Sequence, residues 1–204
     1  MSISMEEFMQ ILDKTVFAFE NEDLPKLVKL NRQLKSALKR TGDLQFSANK
    51  GLDKIDDDEI ESAHMFILIA EYLNEIGQNV SNIVRTTLNH VDNNHKPYLK
   101  EQIEEMKNLN DQLRQINKLV LNVFHTLDEE KTLTTMDFFP PFVQLIRSYR
   151  KKQIKRIKAN AVGTRNSMLY LNHLAEYRNI VLFTSRIVQV CYDLVINQKS
   201  ESPE

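Results

Sequence analysis

Acidic and histidine side chains gather along one face of a helix predicted in the first half of the chain. Projected at about 100° per residue, they share roughly a third of the circumference. Carboxylates one turn apart, with a histidine nearby, can bind a hard cation or a transition metal. The alternative is an ordinary solvated helix face, and the pattern leaves both interpretations open. The residues are Glu61, His64, Glu71, Glu75, Gln78 and Asn82.

A metal-dependent helical-bundle enzyme is a distant alternative. Glu61-x-x-His64 has the i,i+3 spacing of a di-iron carboxylate site, but that site needs a second such motif and two further glutamates. The only counterpart is reversed, as His173-x-x-Glu176. The sequence has no GxSxG, P-loop, GxGxxG or HExxH motif. We therefore expect no enzymatic activity.

Four basic residues predicted on one helix form a second candidate site. Like charges one turn apart repel each other, so they favour an anionic partner: another helix, a lipid headgroup or phosphate. A solvated face is the alternative. The net charge of −1 and the lack of interleaved aromatic residues argue against nucleic acid. We predict a partner-binding stripe formed by Arg147, Lys151, Lys155 and Lys158.

The composition favours a helical protein. The chain has 204 residues, of which 42% are hydrophobic, and only 4 glycines and 5 prolines are available for turns. There is no signal-peptide pattern and no run of about 18 consecutive apolar residues. We expect a soluble chain with six helices, at about 5–19, 23–40, 56–89, 97–127, 140–158 and 164–196. Asp23 is the predicted N-cap of the second helix, Pro140-Pro141 the start of the fifth, and Thr164 the N-cap of the sixth.

A short motif repeats in the two longest predicted helices. Ala70-Glu71-Tyr72-Leu73-Asn74 recurs as Ala175-Glu176-Tyr177-Arg178-Asn179, an offset of 105 residues (175 − 70). This predicts an all-α antiparallel helical bundle of two tandem three-helix repeats, residues 1–94 and 95–197, with a disordered tail at 198–204. Dimerisation through a long helix would suit the pattern.

Segment 71–83, EYLNEIGQNVSNI, resembles the helix-three signature of PhoU-like proteins, which reads roughly D-x-L-E-R-I-G-D-H-A-x-N-I. The resemblance implies two three-helix repeats and metal clusters bound by carboxylates. Amides replace signature carboxylates at Asn74 and Gln78, and Asn79 replaces the histidine, so we expect the cluster to be reduced or lost. Glu71 and its repeat partner Glu176 are the remaining candidate ligands for a divalent or transition metal. The matching positions are Leu73, Ile76, Gly77, Asn82 and Ile83.

Three further segments resemble the cytosolic C-terminal region of bacterial Pit-type inorganic phosphate transporters: 90–96 (HVDNNHK), 150–157 (RKKQIKRI) and 163–167 (GTRNS). With the PhoU-like signature, this resemblance covers about residues 55–196. It implies a regulatory domain on the cytoplasmic face of the bacterial inner membrane, joined to the membrane part of a phosphate transporter in a longer chain. The alternative is a free-standing PhoU-like regulator or transporter accessory protein.

Overall fold

The computed structural model describes residues 2–51 and 60–200. Seven helices occupy these ranges. They form an all-α antiparallel bundle of two tandem three-helix repeats, with one additional short helix in the second repeat. The helices are α1 (Ser2–Glu20), α2 (Leu24–Gly51), α3 (Ile60–Asp92), α4 (Lys100–Thr126), α5 (Glu129–Met136), α6 (Phe139–Lys158) and α7 (Thr164–Ser200).

The helix starts follow local chemistry. The Asp23 carboxylate accepts a hydrogen bond from the Lys26 backbone N–H at 3.0 Å, which confirms the predicted cap of α2. The predicted proline start of α6 is also confirmed, with prolines in its first turn. The predicted cap of α7 is off by one residue, because the Gly163 carbonyl accepts the first intrahelical bond, from Ser167. The predicted start of α3 at 56–58 lies outside the described residues.

The structure differs from the predicted helices at three places. The second helix does not end at Thr41-Gly42-Asp43 but continues to Gly51, because Thr41 is buried and donates to the Leu38 carbonyl at 2.9 Å. The interval before the fifth predicted helix contains α5, capped by the Asp128 carboxylate. At the other end, α7 continues through Ser200, into the tail predicted at 198–204.

The two long helices α3 and α7 pack against each other and join the two halves. They run antiparallel, since Asn197 donates to Glu61 at one end and Thr86 contacts His173 at the other. Helix α1 also crosses the boundary to pack on α4. The core is continuous across both repeats. Phe66 of α3 lies outside this core and is 45% exposed.

The pattern of buried residues indicates a different offset between the two long helices from the predicted one. At an offset of 104 (180 − 76), buried residues of α3 fall on buried residues of α7. At the predicted offset of 105, buried Leu73 would fall on exposed Arg178. The Ala-Glu-Tyr-x-Asn motif lies in both long helices, but its two copies differ in burial: Ala70 is buried and Ala175 exposed, while Tyr177 is buried and Tyr72 only partly. Buried pairs at 104 include Met65 with Leu169, Leu73 with Tyr177, Ile76 with Ile180, Ile83 with Ile187 and Val84 with Val188.

Candidate functional site

The basic stripe lies on the outer face of α6. All four predicted residues are exposed, and none forms an ion pair with another described residue. Arg150 shares this face, and Ile154 and Ile157 are 46% and 40% exposed within it. Helix α6 contains no aspartate or glutamate. The surface therefore combines unpaired positive charge with exposed apolar side chains. We call it the cationic face: Arg147, Arg150, Lys151, Ile154, Lys155, Ile157 and Lys158.

Two other cations of α6, the largely buried Arg156 and the exposed Lys152, pair with Glu105 of α4. The Arg156 guanidinium donates to both Glu105 oxygens, at 2.8 and 2.9 Å, and the Lys152 ammonium lies 3.4 Å away. The Tyr170 hydroxyl of α7 donates to the same carboxylate. Burial alone would raise the pKa of Glu105, but hydrogen bonds from Arg156 and Tyr170 outweigh it and lower the pKa overall. Glu105 thus pairs with two cations of α6, while the cationic face has no acidic partner among the described residues.

A buried amide layer beside Glu105 holds α6 in position. Gln102 of α4 donates to Gln153 of α6 and to Asn166 of α7, at 3.0 Å in each case. Gln153 donates to the Ser167 hydroxyl at 3.3 Å. Asn166 donates to the Pro97 carbonyl at 3.0 Å. We call Gln102, Gln153, Asn166 and Ser167 the amide layer; it links α4, α6, α7 and the α3–α4 loop.

Neither the ion pairs at Glu105 nor the amide layer was predicted from the sequence. One signal was available, because Gln153 continues the buried spacing of Phe142, Ile146 and Tyr149 along α6. A polar residue on such a stripe predicts a buried hydrogen bond. No comparable signal marks Glu105, whose partners are supplied by two other helices.

The two predicted metal ligands lie apart. Glu176 is half-buried beside Asn82, so the α3–α7 register places Glu71 11 residues away (82 − 71). That separation is about 16 Å along a helix. In the 104 register, Glu71 corresponds to Ala175 rather than to Glu176. The structure does not bring these carboxylates into one site.

The surroundings of Glu176 and of Glu75 do not fit a multinuclear cluster. Burial raises the pKa of Glu176, while a hydrogen bond from Asn82 and the nearby Arg85 lower it in part. Glu75 lines a 260 Å³ cavity with two asparagines and Arg186. Cations and amides therefore occupy positions where a cluster needs anionic ligands. Within residues 2–51 and 60–200, no three His, Cys, Asp or Glu side chains are grouped so that they could share a metal ion.

The acidic face of α3 is a polar surface in the structure. Glu61, His64 and Glu71 are exposed, and Glu61 accepts a hydrogen bond from Asn197 at 3.0 Å. Glu61 and Glu75 are 14 residues apart (75 − 61), or about 21 Å along the helix. The carboxylates proposed for a bundle enzyme are therefore spread along α3. His173, the other predicted motif residue, is buried against Tyr98 instead.

Two segments singled out in the sequence meet at the end of the bundle. His95, in segment 90–96, lies against Arg165, in segment 163–167: the Arg165 Nη1 is 3.0 Å from His95 Nε2. A cavity of 420 Å³ lies between the two segments. The structure thus brings together residues that are 70 positions apart in the chain.

One helix in the described part of the chain is long and apolar enough to cross a membrane, judged by length and composition. It covers Thr164–Asn197 of α7, with a hydropathy of 1.4, and 44% of that apolar window is buried. Helix α7 packs on α3, α4, α5 and α6. Its position at the centre of the bundle accounts for its apolar residues.

Comparison with solved structures identifies the bundle as a PhoU-like fold. PhoU from Pseudomonas aeruginosa matches with a TM-score of 0.79 and 11% identity, over 96% of this chain and 93% of that one. The phosphate transport system regulatory protein PhoU from Streptococcus pneumoniae matches with a TM-score of 0.71 and 11% identity, over 95% and 90%. No protein-family model and no curated protein sequence matches this chain. The fold predicted from segment 71–83 is confirmed.

Proposed function

We propose that this protein is a non-enzymatic regulator of phosphate uptake that works by contact with a phosphate transporter. The fold supports this proposal, because the match to PhoU structures covers nearly the whole of both chains. The Streptococcus pneumoniae neighbour is described as a phosphate transport system regulatory protein. A separate PhoU-like regulator is therefore our first candidate.

The cationic face is the contact surface in this proposal, and it is the observation that carries it. Its five basic residues have no acidic partner among the described residues, and α6 contributes no acid of its own. Exposed Ile154 and Ile157 add apolar area to the same surface. A surface of this kind suits an acidic, partly apolar partner surface next to anionic lipid. We place that partner at the cytoplasmic face of a bacterial inner membrane.

The second candidate is the cytosolic domain of a Pit-type phosphate transporter. It is favoured by the resemblance of segments 90–96, 150–157 and 163–167 to that region. The two candidates differ in the gene: an open reading frame that continues upstream into hydrophobic helices supports the fused domain. A stop codon directly upstream of the Met1 codon supports the separate regulator.

Co-flotation with vesicles tests the proposed contact. Purified protein is mixed with vesicles that contain a phosphate transporter from the same organism, with empty vesicles of the same anionic lipid, and with neutral vesicles. Stronger association with the transporter vesicles supports the proposal. Equal association with empty anionic vesicles would assign the cationic face to lipid alone. No association with any vesicle would overturn the contact mechanism. Light scattering of the purified protein, without vesicles, tests for a homodimer.

A further inference from the structure

A cavity at one end of the bundle is lined by basic groups. It lies between the α3–α4 loop and the first turn of α7, with a volume of 420 Å³. None of its lining residues is acidic, and the size falls within the range of small-ligand pockets. The lining residues are His90, Asn94, His95, Lys96, Gly163, Thr164, Arg165 and Asn166.

The positive groups around this cavity are close together, and no described residue supplies a counter-charge. Arg165 is exposed, and its Nη1 lies 3.0 Å and 3.2 Å from the two ring nitrogens of His95. The His95 ring also contacts that of His90, with centroids 5.1 Å apart. Neither Lys96 nor Arg165 forms an ion pair with a described residue. Partial burial lowers the pKa of His95, followed by the Arg165 charge and then by His90.

Backbone donors complete the lining. Gly163 precedes the first turn of α7, and its carbonyl accepts from Ser167. The N–H groups of Thr164, Arg165 and Asn166 therefore have no intrahelical acceptor. Gly163 has no side chain to cap them, and a Cβ placed there would meet no atom within 4 Å. These N–H groups face a region where positive charge is already concentrated.

The loop is held in place against α7. The His90 Nε2–H donates to the Lys96 carbonyl at 2.8 Å, and Asn166 donates to the Pro97 carbonyl at 3.0 Å. These bonds fix the loop backbone from both sides, so the cavity exists before any ligand binds. A preformed pocket loses less conformational entropy on binding.

The acidic groups nearby face a different cavity. Glu22 and Asp92 line a 470 Å³ cavity on the other side of the α3–α4 loop, together with Phe19 and Leu24. Asn94, His95 and Lys96 separate the two cavities. The preference for anions therefore belongs to the α7 side of the loop.

We propose that the α7-side cavity binds a phosphate-type oxyanion, with Arg165 and Lys96 supplying charge and the first turn of α7 supplying N–H donors. A tetrahedral anion matches a planar guanidinium, an ammonium and convergent N–H groups. The ligand is inorganic phosphate or a small phosphomonoester. This inference deepens the proposed function by giving the regulator a ligand, and it rests on that function for the choice of phosphate.

Calorimetric titration of the full chain tests the site. Inorganic phosphate, sulfate and a small phosphomonoester such as phenyl phosphate are titrated separately at constant ionic strength. Saturable binding of phosphate, with the ring signals of His95 shifting in NMR spectra, is the expected result. Tighter binding of phenyl phosphate would identify a monoester as the ligand, and tighter binding of phosphate would identify the free ion. Absence of saturable binding in the millimolar range would overturn the proposal.

Three variants make the test specific. Arg165→Gln removes one charged donor and is expected to weaken phosphate binding by about 10- to 100-fold. Gly163→Asp supplies a carboxylate that caps the same N–H groups, so it should abolish binding while raising the melting temperature. Arg178→Gln is the matched control, exposed on α7 about 20 Å further along the helix. Unchanged binding in both Arg165→Gln and Gly163→Asp would place any bound phosphate elsewhere.

The oxyanion site and the proposed contact mechanism can be disproved independently. Phosphate binding is measured on the purified chain without vesicles, whereas transporter association is measured by co-flotation. If phosphate does not bind but association persists, only the oxyanion site is wrong. If phosphate binds but no vesicle binds, the contact mechanism is wrong and the site stands.

Discussion

The Tyr98 hydroxyl lies 3.0 Å from Nδ1 of His173, inside the bundle where both side chains are buried. On the other side of the ring, Nε2 lies 3.2 Å from the Thr86 hydroxyl oxygen, whose own hydrogen is donated to the Asn82 carbonyl. The Thr87 hydroxyl lies 3.3 Å from the same Nε2. With the ring proton on Nε2, a threonine hydroxyl accepts that proton and Nδ1 accepts from Tyr98, whereas an imidazolium would leave the Tyr98 hydrogen without an acceptor.

This arrangement predicts a loss of stability in mild acid. Burial, followed by the charge of His90, lowers the pKa of His173 from 6.5 to about 3. The unfolded chain binds the proton near pH 6.5, so stability is complete above that pH and falls as the pH drops toward 3. The loss is about 1.4 kcal/mol per pH unit, or about 2 kcal/mol between pH 6.5 and pH 5.

Urea unfolding across this pH window measures the effect. His173→Gln is expected to lower stability at neutral pH but to flatten its pH dependence, because the amide does not titrate. His95→Gln is the comparison, since partial burial also lowers the pKa of His95, at the surface. An unchanged slope in His173→Gln would show that another group is responsible.

Charge reversal on the cationic face is expected to weaken association without unfolding the protein. Lys151→Glu combined with Lys155→Glu replaces two exposed cations one turn apart. We expect at least about a tenfold loss of association with transporter vesicles, because the surface charge changes by four units. The matched control is Lys35→Glu with Lys39→Glu, which makes the same change at the same spacing on α2. Equal losses in both variants would indicate a nonspecific charge effect, and no loss in either would exclude the stripe.

The buried Arg156–Glu105 ion pair should contribute more to the free energy of unfolding than a surface pair does. Arg156→Ala leaves the Glu105 carboxylate, which is 8% exposed, without its bidentate partner. We expect a cost of about 3 kcal/mol in the free energy of unfolding. The comparison is Arg40→Ala, which breaks an exposed pair with Glu7 and should cost less than about 1 kcal/mol. Similar costs in the two variants would contradict the assignment of Glu105 as a buried anchor.

Two glycines in helices should respond to alanine in opposite directions. A Cβ at Gly77 would lie 2.6 Å from the Phe8 ring and 2.7 Å from Leu38, so Gly77→Ala should destabilise by about 1–3 kcal/mol. A Cβ at Gly42 meets nothing within 4 Å, so Gly42→Ala should stabilise α2 by up to about 1 kcal/mol. Thermal unfolding of both variants checks this. Stabilisation by Gly77→Ala would show that α1 is free to move away from α3.

Elemental analysis of the dialysed protein addresses the predicted metal ligands Glu71 and Glu176. We expect less than one transition-metal ion per chain, because Asn82 and Arg85 lie beside Glu176 and Glu71 is exposed about 16 Å away. Two or more ions per chain, lost in Glu71→Ala, would restore both the cluster and the enzyme alternative. Unaltered metal content in Glu71→Ala would place those ions at other residues.

The sequence predicted elements whose signals are local. Asp23 and the paired prolines of α6 mark helix starts through chemistry within one turn. Helix α5 was hidden because threonine has a low helix propensity. Its Thr132 and Thr135 are buried and donate to carbonyls four residues back. The continuation of α2 past Gly42 also depends on packing, since Thr41 is buried in the bundle.

The candidate sites also differ in whether signals within one helix predict them. The exposed stripe on α6 was predictable from spacing within one helix. The grouping around Glu105 was not, because Arg156 and Tyr170 reach it from two different helices. The 420 Å³ cavity likewise depends on contact between residues far apart in the chain, such as His95 and Arg165. The repeated pentapeptide suggested an offset of 105, but residue identity did not predict burial: Ala70 and Tyr177 are buried, whereas Ala175 is exposed and Tyr72 only partly buried.

The amide layer also fixes the position of α6 along its own axis. Apolar contacts are nondirectional, so they resist a slide of α6 by one turn, about 5.4 Å, less specifically than hydrogen bonds do. Such a slide would separate Gln153 from Gln102 and Arg156 from Glu105, leaving buried polar groups without partners. The height at which the α6 lysines lie on the bundle therefore follows from hydrogen bonds on the opposite side of the helix.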